Sequence, residues 1–346
     1  MLEMDENRDK VRSKMDKLME IRGLKRIIPL RDGKAAGRAV HAVDGIDLDI
    51  YRNEILALVG ESGCGKSTLG KTIVNLQKPI EGEVLLKGKN IFEAEKKERK
   101  RLCQDMQIIF QDIGASLNPR KTIETILSTP YRVHCQGMSG SELRDKAAGL
   151  LERVGLNPPE TYLQRYPHEF SGGQRQRIGI ARAIALSSQF IVADEPVSAL
   201  DVSVRGQILN LMKDLQQDLE LTYLFITHDL SVVRSIADRV AVMYLGKIVE
   251  ISEASDFFRN TLHPYAKAIL SATPIADPEL SKRRRMIELQ GEPPSPVNIP
   301  TGCRFHERCP SARPICQKQE PELMDCGNGH LAACHLAGEK QYAGAQ

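Results

Sequence analysis

The chain has 346 residues, of which 41% are apolar and 27% charged, a composition typical of a globular protein with two or three domains. Its net charge of +3 is too small to predict a nucleic-acid partner. No secretory signal opens the sequence, and its longest apolar run, Val240 to Leu245, is far shorter than a membrane span. These features predict a cytoplasmic protein, or one peripheral to the cytoplasmic side of a membrane.

Residues 1–23 are charge-dense and predict an N-terminal extension, in which Met15 and Leu18 belong to a thin apolar stripe that favours a helix. From residue 24 to residue 252, apolar strands alternate with helical patterns. This alternation predicts an α/β domain with a parallel sheet covered on both faces.

A helical insertion is predicted over about residues 113–170, because Leu143, Leu150 and Val154 recur at helical spacing. Beyond residue 252 the pattern breaks up, and proline, cysteine and basic residues dominate. Residues 253–346 therefore predict a small Cys-rich C-terminal module.

A glycine-rich loop lies between the apolar run Ile55–Val59 and a helix-compatible stretch that begins at Lys66. Strand, glycine loop and helix in this order are the context that confirms a phosphate-binding loop. The glycines let backbone N–H groups point at an anion, the lysine charge binds the β- and γ-phosphates, and the serine hydroxyl binds Mg²⁺. The predicted ATP-binding residues here are Gly60, Glu61, Ser62, Gly63, Cys64, Gly65, Lys66, Ser67 and Thr68.

Four polar residues follow apolar strands: Gln111, Asp194, Glu195 and His228. Ligands bind beyond the carboxyl ends of strands in an open parallel sheet, so all four are predicted to face the phosphate loop. A carboxylate at Asp194 is costly to bury without a cation, and Mg²⁺ supplies one. Glu195 is placed to accept a proton from the attacking water or to orient it, His228 to contact the γ-phosphate, and Gln111 to ligate Mg²⁺.

A second anion site is predicted at Ser171-Gly172-Gly173-Gln174, which opens a helix. One nucleotide already has its phosphates on the first loop, so the second site is interpreted as serving the nucleotide of a second subunit. The alternative is a plain helix N-cap.

These motifs, with Ser198-Ala199-Leu200-Asp201, occur in the order found in ABC transporter ATPases, and residues 24–252 resemble that family. The resemblance implies an ABC-type nucleotide-binding domain of the P-loop NTPase fold with a helical subdomain. It also implies a dimer that sandwiches two ATP molecules, with Asp201 at the dimer contact. By resemblance Glu195 is the catalytic base, Lys66 the phosphate clamp and His228 the switch histidine, and the Mg²⁺ ligands are Ser67, Gln111 and Asp194. The aromatic residue that usually stacks on adenine is absent, which leaves Ile28 and His41 as alternatives.

The tail segments His263-Pro264-Tyr265 and 302–310 resemble the ATPases of oligopeptide and dipeptide importers. The resemblance implies hydrolysis of ATP to ADP and phosphate at the cytoplasmic face of the membrane, coupled to peptide uptake. Its implied partners are a second ATPase subunit, identical or related, two permease subunits and, through them, an extracytoplasmic substrate-binding protein. The alternatives are import of nickel or other small cargo, or a soluble ABC ATPase outside transport.

Five of the eight cysteines crowd the tail, and such clustering indicates a metal site. Thiolates at four points of a loop-rich segment are able to hold a 4Fe–4S cluster or Zn²⁺. The resemblance favours a 4Fe–4S cluster, because some members of the subfamily carry one. The predicted ligands are Cys303, Cys309, Cys316 and Cys334, with Cys326 as a spare, and the alternative is a set of free thiols.

Overall fold

The computed structural model describes residues 16–30, 38–135, 137–273 and 286–337. The elements of the first half are β1 (Lys17–Pro29), β2 (Ala39–Tyr51), β3 (Ile55–Val59), α1 (Lys66–Ile73), β4 (Glu81–Leu86), β5 (Lys89–Asn90), α2 (Lys96–Asp105), β6 (Met106–Ile109), α3 (Ile113–Ser116), α4 (Ile123–His134), α5 (Gly140–Arg153) and α6 (Glu160–Leu163). The elements of the second half are α7 (Gly172–Ala183), β7 (Phe190–Asp194), α8 (Val202–Asp218), β8 (Thr222–Thr227), α9 (Leu230–Ile236), β9 (Arg239–Tyr244), β10 (Lys247–Glu253), α10 (Ala254–Asn260), α11 (Pro264–Ser271), α12 (Pro314–Lys318), β11 (Met324–Asp325) and β12 (Leu331–Ala332).

The main sheet has eight strands in the order β11-β12-β10-β9-β3-β8-β7-β6. Strands β9, β3, β8, β7 and β6 are parallel, whereas β10, β12 and β11 continue the sheet in antiparallel fashion. Every residue of β3, β7 and β8 is buried, as expected for parallel strands covered on both faces. The predicted parallel sheet is therefore confirmed, with an antiparallel edge that the sequence pattern did not indicate.

A second sheet is antiparallel, with the order β2-β1-β4-β5. The helix predicted near the N-terminus is wrong over its described part, because Leu18 lies on strand β1 and is buried. Pairing with β2 on one side and β4 on the other decides the conformation of this segment, which its own sparse apolar pattern could not. Met15 lies outside the described residues.

The predicted insertion contains helices α3 to α6 and a 3₁₀ turn at Pro167–Glu169. Its apolar residues, among them Ile123, Leu127 and Leu151, share one hydrophobic cluster with Ile178 of α7. The insertion is thus packed on the helix that begins at the predicted second anion site. The boundaries of the domains themselves stay predictions.

The C-terminal region packs against the edge of the main sheet. Phe257, Tyr265 and Phe305 are fully buried in one cluster with Tyr244 of β9. Strand β12 pairs with β10, opposite Glu250 and Ile251. Much of this region therefore shares the core of the preceding domain, and a separate Cys-rich module is not confirmed. Among the described helices, none combines the length and apolarity needed to cross a bilayer.

Candidate nucleotide-binding and hydrolysis site

Two positions in the loop between β3 and α1 have a backbone conformation and surroundings that only glycine fits. Gly65 has φ +108°, and a Cβ atom there would lie 1.9 Å from the carbonyl oxygen of Ala42. A Cβ atom on Gly60, at φ +155°, would lie 2.2 Å from the carbonyl oxygen of Met243. Gly65 is also the N-cap of α1, and no side chain caps this helix end. The first N–H groups of α1 are therefore available to an anion at the helix N-terminus.

The ammonium group of Lys66 is folded back against its own loop. Its Nζ atom donates to the carbonyl oxygens of Gly60 and Glu61, at 2.7 and 2.9 Å. The residue is 5% exposed, so its charge is held in a largely desolvated position. A phosphate group bound by the loop would meet this cation at close range.

Ser67 and Asp194 form a pair of oxygen ligands next to the lysine. The Ser67 hydroxyl donates a 2.7 Å hydrogen bond to Oδ1 of Asp194, which ends β7. Burial raises the pKa of Asp194, and the hydrogen bond from Ser67 opposes this. Hydroxyl and carboxylate oxygens are the ligands that Mg²⁺ prefers, so these residues fit that ion.

Glu195 lies at the centre of a second group of polar side chains. Gln111 Nε2 donates to its Oε2 atom at 2.8 Å, and His228 Nδ1 lies 3.0 Å from its Oε1 atom. A carboxylate only accepts hydrogen bonds, so the proton in the second contact is on His228 Nδ1. The backbone of Glu195 adopts φ +48°, and its N–H donates to Ile226 of β8 at 2.9 Å. The left-handed backbone conformation of Glu195 turns the chain at the end of β7 and directs the carboxylate to the edge of the sheet.

The segment from Ser171 to Gln174 forms a capping box at the start of α7. Ser171 Oγ accepts from Gln174 N at 3.3 Å, and Gln174 Oε1 accepts from Ser171 N at 3.0 Å. Ser171 and Gly172 are exposed, as is Asp201, the N-cap of α8. Within the described residues, no hydrogen bond joins this segment or Asp201 to the phosphate loop. The structure therefore leaves both on the surface of the single chain.

The two candidates for the adenine contact lie on neighbouring strands. Ile28 of β1 pairs with Val40, and His41 of β2 pairs with Ile27. Ile28 and His41 are thus one register position apart, and both stay candidates.

Two residues of the tail contact the phosphate loop, which sequence reasoning missed. The backbone N–H of Glu61 donates to the hydroxyl of Tyr265 at 2.7 Å. The guanidinium of Arg308 binds both carboxylate oxygens of Glu61, at 2.9 and 3.1 Å. Both residues fall within the tail segments that resemble the ATPases of peptide importers. This resemblance was the only feature of the sequence that could have pointed to them.

The predicted 4Fe–4S site is wrong, and so is its Zn²⁺ alternative. All five tail cysteines are described, and the described residues contain no group of three or more His, Cys, Asp or Glu side chains that could hold a metal ion. Burial raises the pKa of Cys303 to about 11 and raises the pKa of Cys309 and Cys334, which favours protonated thiols. Cys303 and Cys309 pack against the aromatic cluster of Phe305. The thiols thus behave as small apolar side chains.

Comparisons with known proteins agree with these features. Residues 43–198 match the family described as ABC transporter, and residues 249–316 match the oligopeptide/dipeptide transporter C-terminal region. The chain is 51% identical over 322 residues to the oligopeptide transport ATP-binding protein AppF of Bacillus subtilis, covering 92% of this chain and 97% of that one. It is 47% identical over 321 residues to the oligopeptide transport ATP-binding protein OppF of Escherichia coli, covering 92% and 95%.

A third relative, the dipeptide transport ATP-binding protein DppF of Haemophilus influenzae, is 48% identical over 318 residues and covers 92% of this chain and 96% of its own. Among solved structures, the dimeric post-hydrolysis state of the ATP-binding cassette MJ0796 bound to ADP and phosphate aligns with a TM-score of 0.61. That alignment has 28% identity and covers 68% of this chain and 98% of the cassette. The chain therefore belongs to the ABC transporter ATPases, within the group of oligopeptide and dipeptide transport ATP-binding proteins.

Proposed function

We propose that the protein is the ATP-hydrolysing subunit of an ABC importer that takes up di- and oligopeptides across the cytoplasmic membrane. The observation that carries the proposal is the carboxylate of Glu195, held between Gln111 and His228 beside the phosphate loop. The names of the relatives support oligopeptides and dipeptides as the cargo.

The residues divide into a binding group and a hydrolytic group. Lys66 binds the β- and γ-phosphates of ATP, and Ser67, Gln111 and Asp194 would hold Mg²⁺, which would neutralise phosphate charge. Glu195 accepts a proton from water as the water oxygen forms a bond to the γ-phosphorus. The bond from that phosphorus to the bridging oxygen of ADP breaks, which leaves ADP and phosphate.

The exposed segment Ser171 to Gln174 is proposed to cover the nucleotide of a second ATPase subunit, with Asp201 at the same contact. The N–H groups of Gly172 and Gly173, which take no part in the capping box, support an anion contact at the start of α7. The dimeric state named for the similar cassette supports the pairing. Two permeases, and through them an extracytoplasmic binding protein, complete the proposed importer at the cytoplasmic face of the membrane.

The test is uptake of a radiolabelled tripeptide by a strain in which this chain alone is deleted and then restored as wild-type or variant protein, together with phosphate release by the purified protein. Lys66→Ala is expected to abolish both, since it removes the phosphate-binding cation. Lys78→Ala, a change of an exposed lysine beyond α1, is the matched control and is expected to keep both. Uptake of nickel but not of peptide would overturn the proposed cargo, and a Lys66→Ala protein that still hydrolyses ATP would overturn the site.

A further inference from the structure

We propose that Arg308 and Tyr265 of the C-terminal region position the phosphate loop through Glu61, and so set the affinity of the site for ATP. The proposal rests on the proposed ATPase function and adds two positioning residues to it. It also gives the C-terminal region a direct effect on nucleotide binding.

The contact between Arg308 and Glu61 has the geometry of a specific link. The Nη1 and Nη2 atoms of Arg308 each donate to one carboxylate oxygen of Glu61, at 2.9 and 3.1 Å. The side chain of Arg308 is 7% exposed and that of Glu61 is 30% exposed, so solvent screens this pair less than it screens a fully exposed ion pair. Two parallel hydrogen bonds fix the plane of the carboxylate as well as its distance.

Tyr265 holds the backbone of the same residue. Its hydroxyl accepts the N–H of Glu61 at 2.7 Å, while its ring is fully buried. The ring centroids of Tyr244 and Phe305 lie 4.6 and 5.4 Å away, so neighbouring aromatic rings fix its orientation. Glu61 is therefore held at its backbone and at its side chain by two separate parts of the tail.

The restraint on Glu61 reaches the phosphate-binding cation directly. Lys66 Nζ donates to the carbonyl oxygens of Gly60 and Glu61. The first carbonyl belongs to the peptide group that precedes the Cα atom of Glu61, and the second belongs to the peptide group that follows it. Fixing Glu61 therefore fixes both acceptors of the ammonium group. Loss of the restraint would let these carbonyls turn, and Lys66 would be less well placed for phosphate.

Arg304 supports the back of the loop from the same part of the tail. Its Nη2 atom binds Asp44 of β2 at 2.6 Å, and its Nη1 atom donates to the carbonyl of Leu245. The next residue, Gly246, donates its N–H to the carbonyl of Cys64 within the loop at 2.9 Å. The tail thus contacts Glu61 at the start of the loop and, through Leu245 and Gly246, supports Cys64 within it. Contacts at two points of the loop would not be needed if the tail were only attached to the domain.

The experiment compares Arg308→Gln, Arg308→Lys, Tyr265→Phe and Glu61→Gln with the wild-type protein. For each we expect the Kd for a fluorescent ATP analogue and the KM for ATP to rise about fivefold, which is the scale of the net free energy of one typical hydrogen bond. The kcat at saturating ATP is expected to stay within about twofold of the wild-type value in the Arg308 and Tyr265 variants, whose changed side chains lie outside the loop. Arg308→Lys keeps the charge but loses the second hydrogen bond, so its effect tests the bidentate geometry.

The matched control is Glu322→Gln, which changes an exposed carboxylate of the same region that has no part in the contacts of Glu61, Arg304 or Arg308. It is expected to leave Kd and KM unchanged. The double variant Glu61→Gln with Arg308→Gln is expected to bind ATP no more weakly than either single variant, because both remove the same contact.

A lower thermal midpoint with an unchanged Kd for ATP in both Arg308→Gln and Tyr265→Phe would overturn the proposal, since it would make these contacts a structural attachment only. Because Tyr265→Phe keeps the buried ring, this variant is expected to fold, and it tests the proposal even if Arg308→Gln does not fold. If the wild-type protein bound ATP but hydrolysed none, the proposed function would fail, whereas the ratio of Kd values would still decide the role of Arg308 and Tyr265.

Discussion

The Nδ1 atom of His228 lies 3.0 Å from the Oε1 atom of Glu195, and this contact joins the ends of two neighbouring strands. Asp194 pairs with Ile226 across the β7–β8 register, so the residues that follow the two strands emerge side by side. With Gln111 on the other oxygen, the carboxylate of Glu195 is held on both sides. A base with a fixed orientation needs less rearrangement when it takes a proton from water.

Replacing the proposed base with its neutral isostere separates binding from hydrolysis. Glu195→Gln is expected to lower kcat at least about 100-fold, because the amide cannot accept the proton of the attacking water. Its Kd for ATP should stay near the wild-type value, since Lys66 and the loop glycines are untouched. Phosphate release and binding of a fluorescent ATP analogue measure the two quantities. Glu152→Gln, on the exposed face of α5, is the control, and a normal turnover rate in Glu195→Gln would mean that another group is the base.

Removing the His228 side chain should lower kcat less than removing the carboxylate of Glu195. His228→Ala is expected to lower kcat about 10-fold to 100-fold with little change in KM, because Gln111 still holds one oxygen of Glu195. Because His228 contacts the carboxylate of Glu195, we expect it to act through that residue, so adding His228→Ala to Glu195→Gln should lower kcat no further. Phosphate release from the two single variants and the double variant tests this, and an additive loss would give His228 an independent role.

Much of the candidate site could be predicted from the sequence, for two physical reasons. A phosphate loop has a local sequence pattern, so Gly60, Gly65 and Lys66 were identifiable without any knowledge of the fold. A parallel sheet collects the carboxyl ends of its strands at one edge, so polar residues that follow apolar runs had to meet. Gln111, Glu195 and His228 meet in this way.

The features that were missed depend on contacts between distant parts of the chain. The contact between Glu61 and Arg308 spans 247 positions and follows no periodic pattern. Strand β1 owes its conformation to pairing with β2 and β4, which its own composition did not indicate. The cysteine spacing suggested a metal site, but packing against Phe305 made Cys303 and Cys309 part of an apolar cluster.

Two glycines of the phosphate loop should differ sharply in their tolerance of a methyl group. Gly65→Ala is expected to abolish ATP binding and lower the thermal midpoint, since its Cβ atom would lie 1.9 Å from the carbonyl oxygen of Ala42. Gly63→Ala is the control: its φ of +81° makes the change costly by about 1–2 kcal/mol, but no atom lies within 4 Å of the added Cβ. Thermal unfolding and ATP titration of both variants measure the difference. Equal losses in the two variants would show that backbone strain, and not close approach, makes glycine necessary.

A buried histidine should make the stability of the C-terminal region depend on pH. His330 Nε2 lies 2.8 Å from Glu250, which is fully buried, and His330 Nδ1 lies 2.5 Å from Asp256. Burial lowers the pKa of His330, but the hydrogen bonds to the two carboxylates outweigh this and raise it above its ordinary value of 6.5. The imidazolium therefore links β10 and α10 to the turn before β12.

Because the pKa of His330 is higher in the folded protein than in the unfolded chain, the stabilisation from its protonated form is fully present below about pH 6.5. It is lost as the pH rises through the folded-state pKa. The thermal midpoint of the wild-type protein should therefore exceed that of His330→Gln by several degrees near pH 6, on the scale of about 1.5–3 kcal/mol for hydrogen bonds to charged groups. This difference should shrink steadily toward pH 9. His335→Gln, a change of a half-buried histidine in the same region that contacts the uncharged carbonyl of Gln319, is expected to show no such trend. A difference between wild-type and His330→Gln midpoints that is the same at pH 6 and pH 9 would mean that His330 stabilises the region as a neutral side chain.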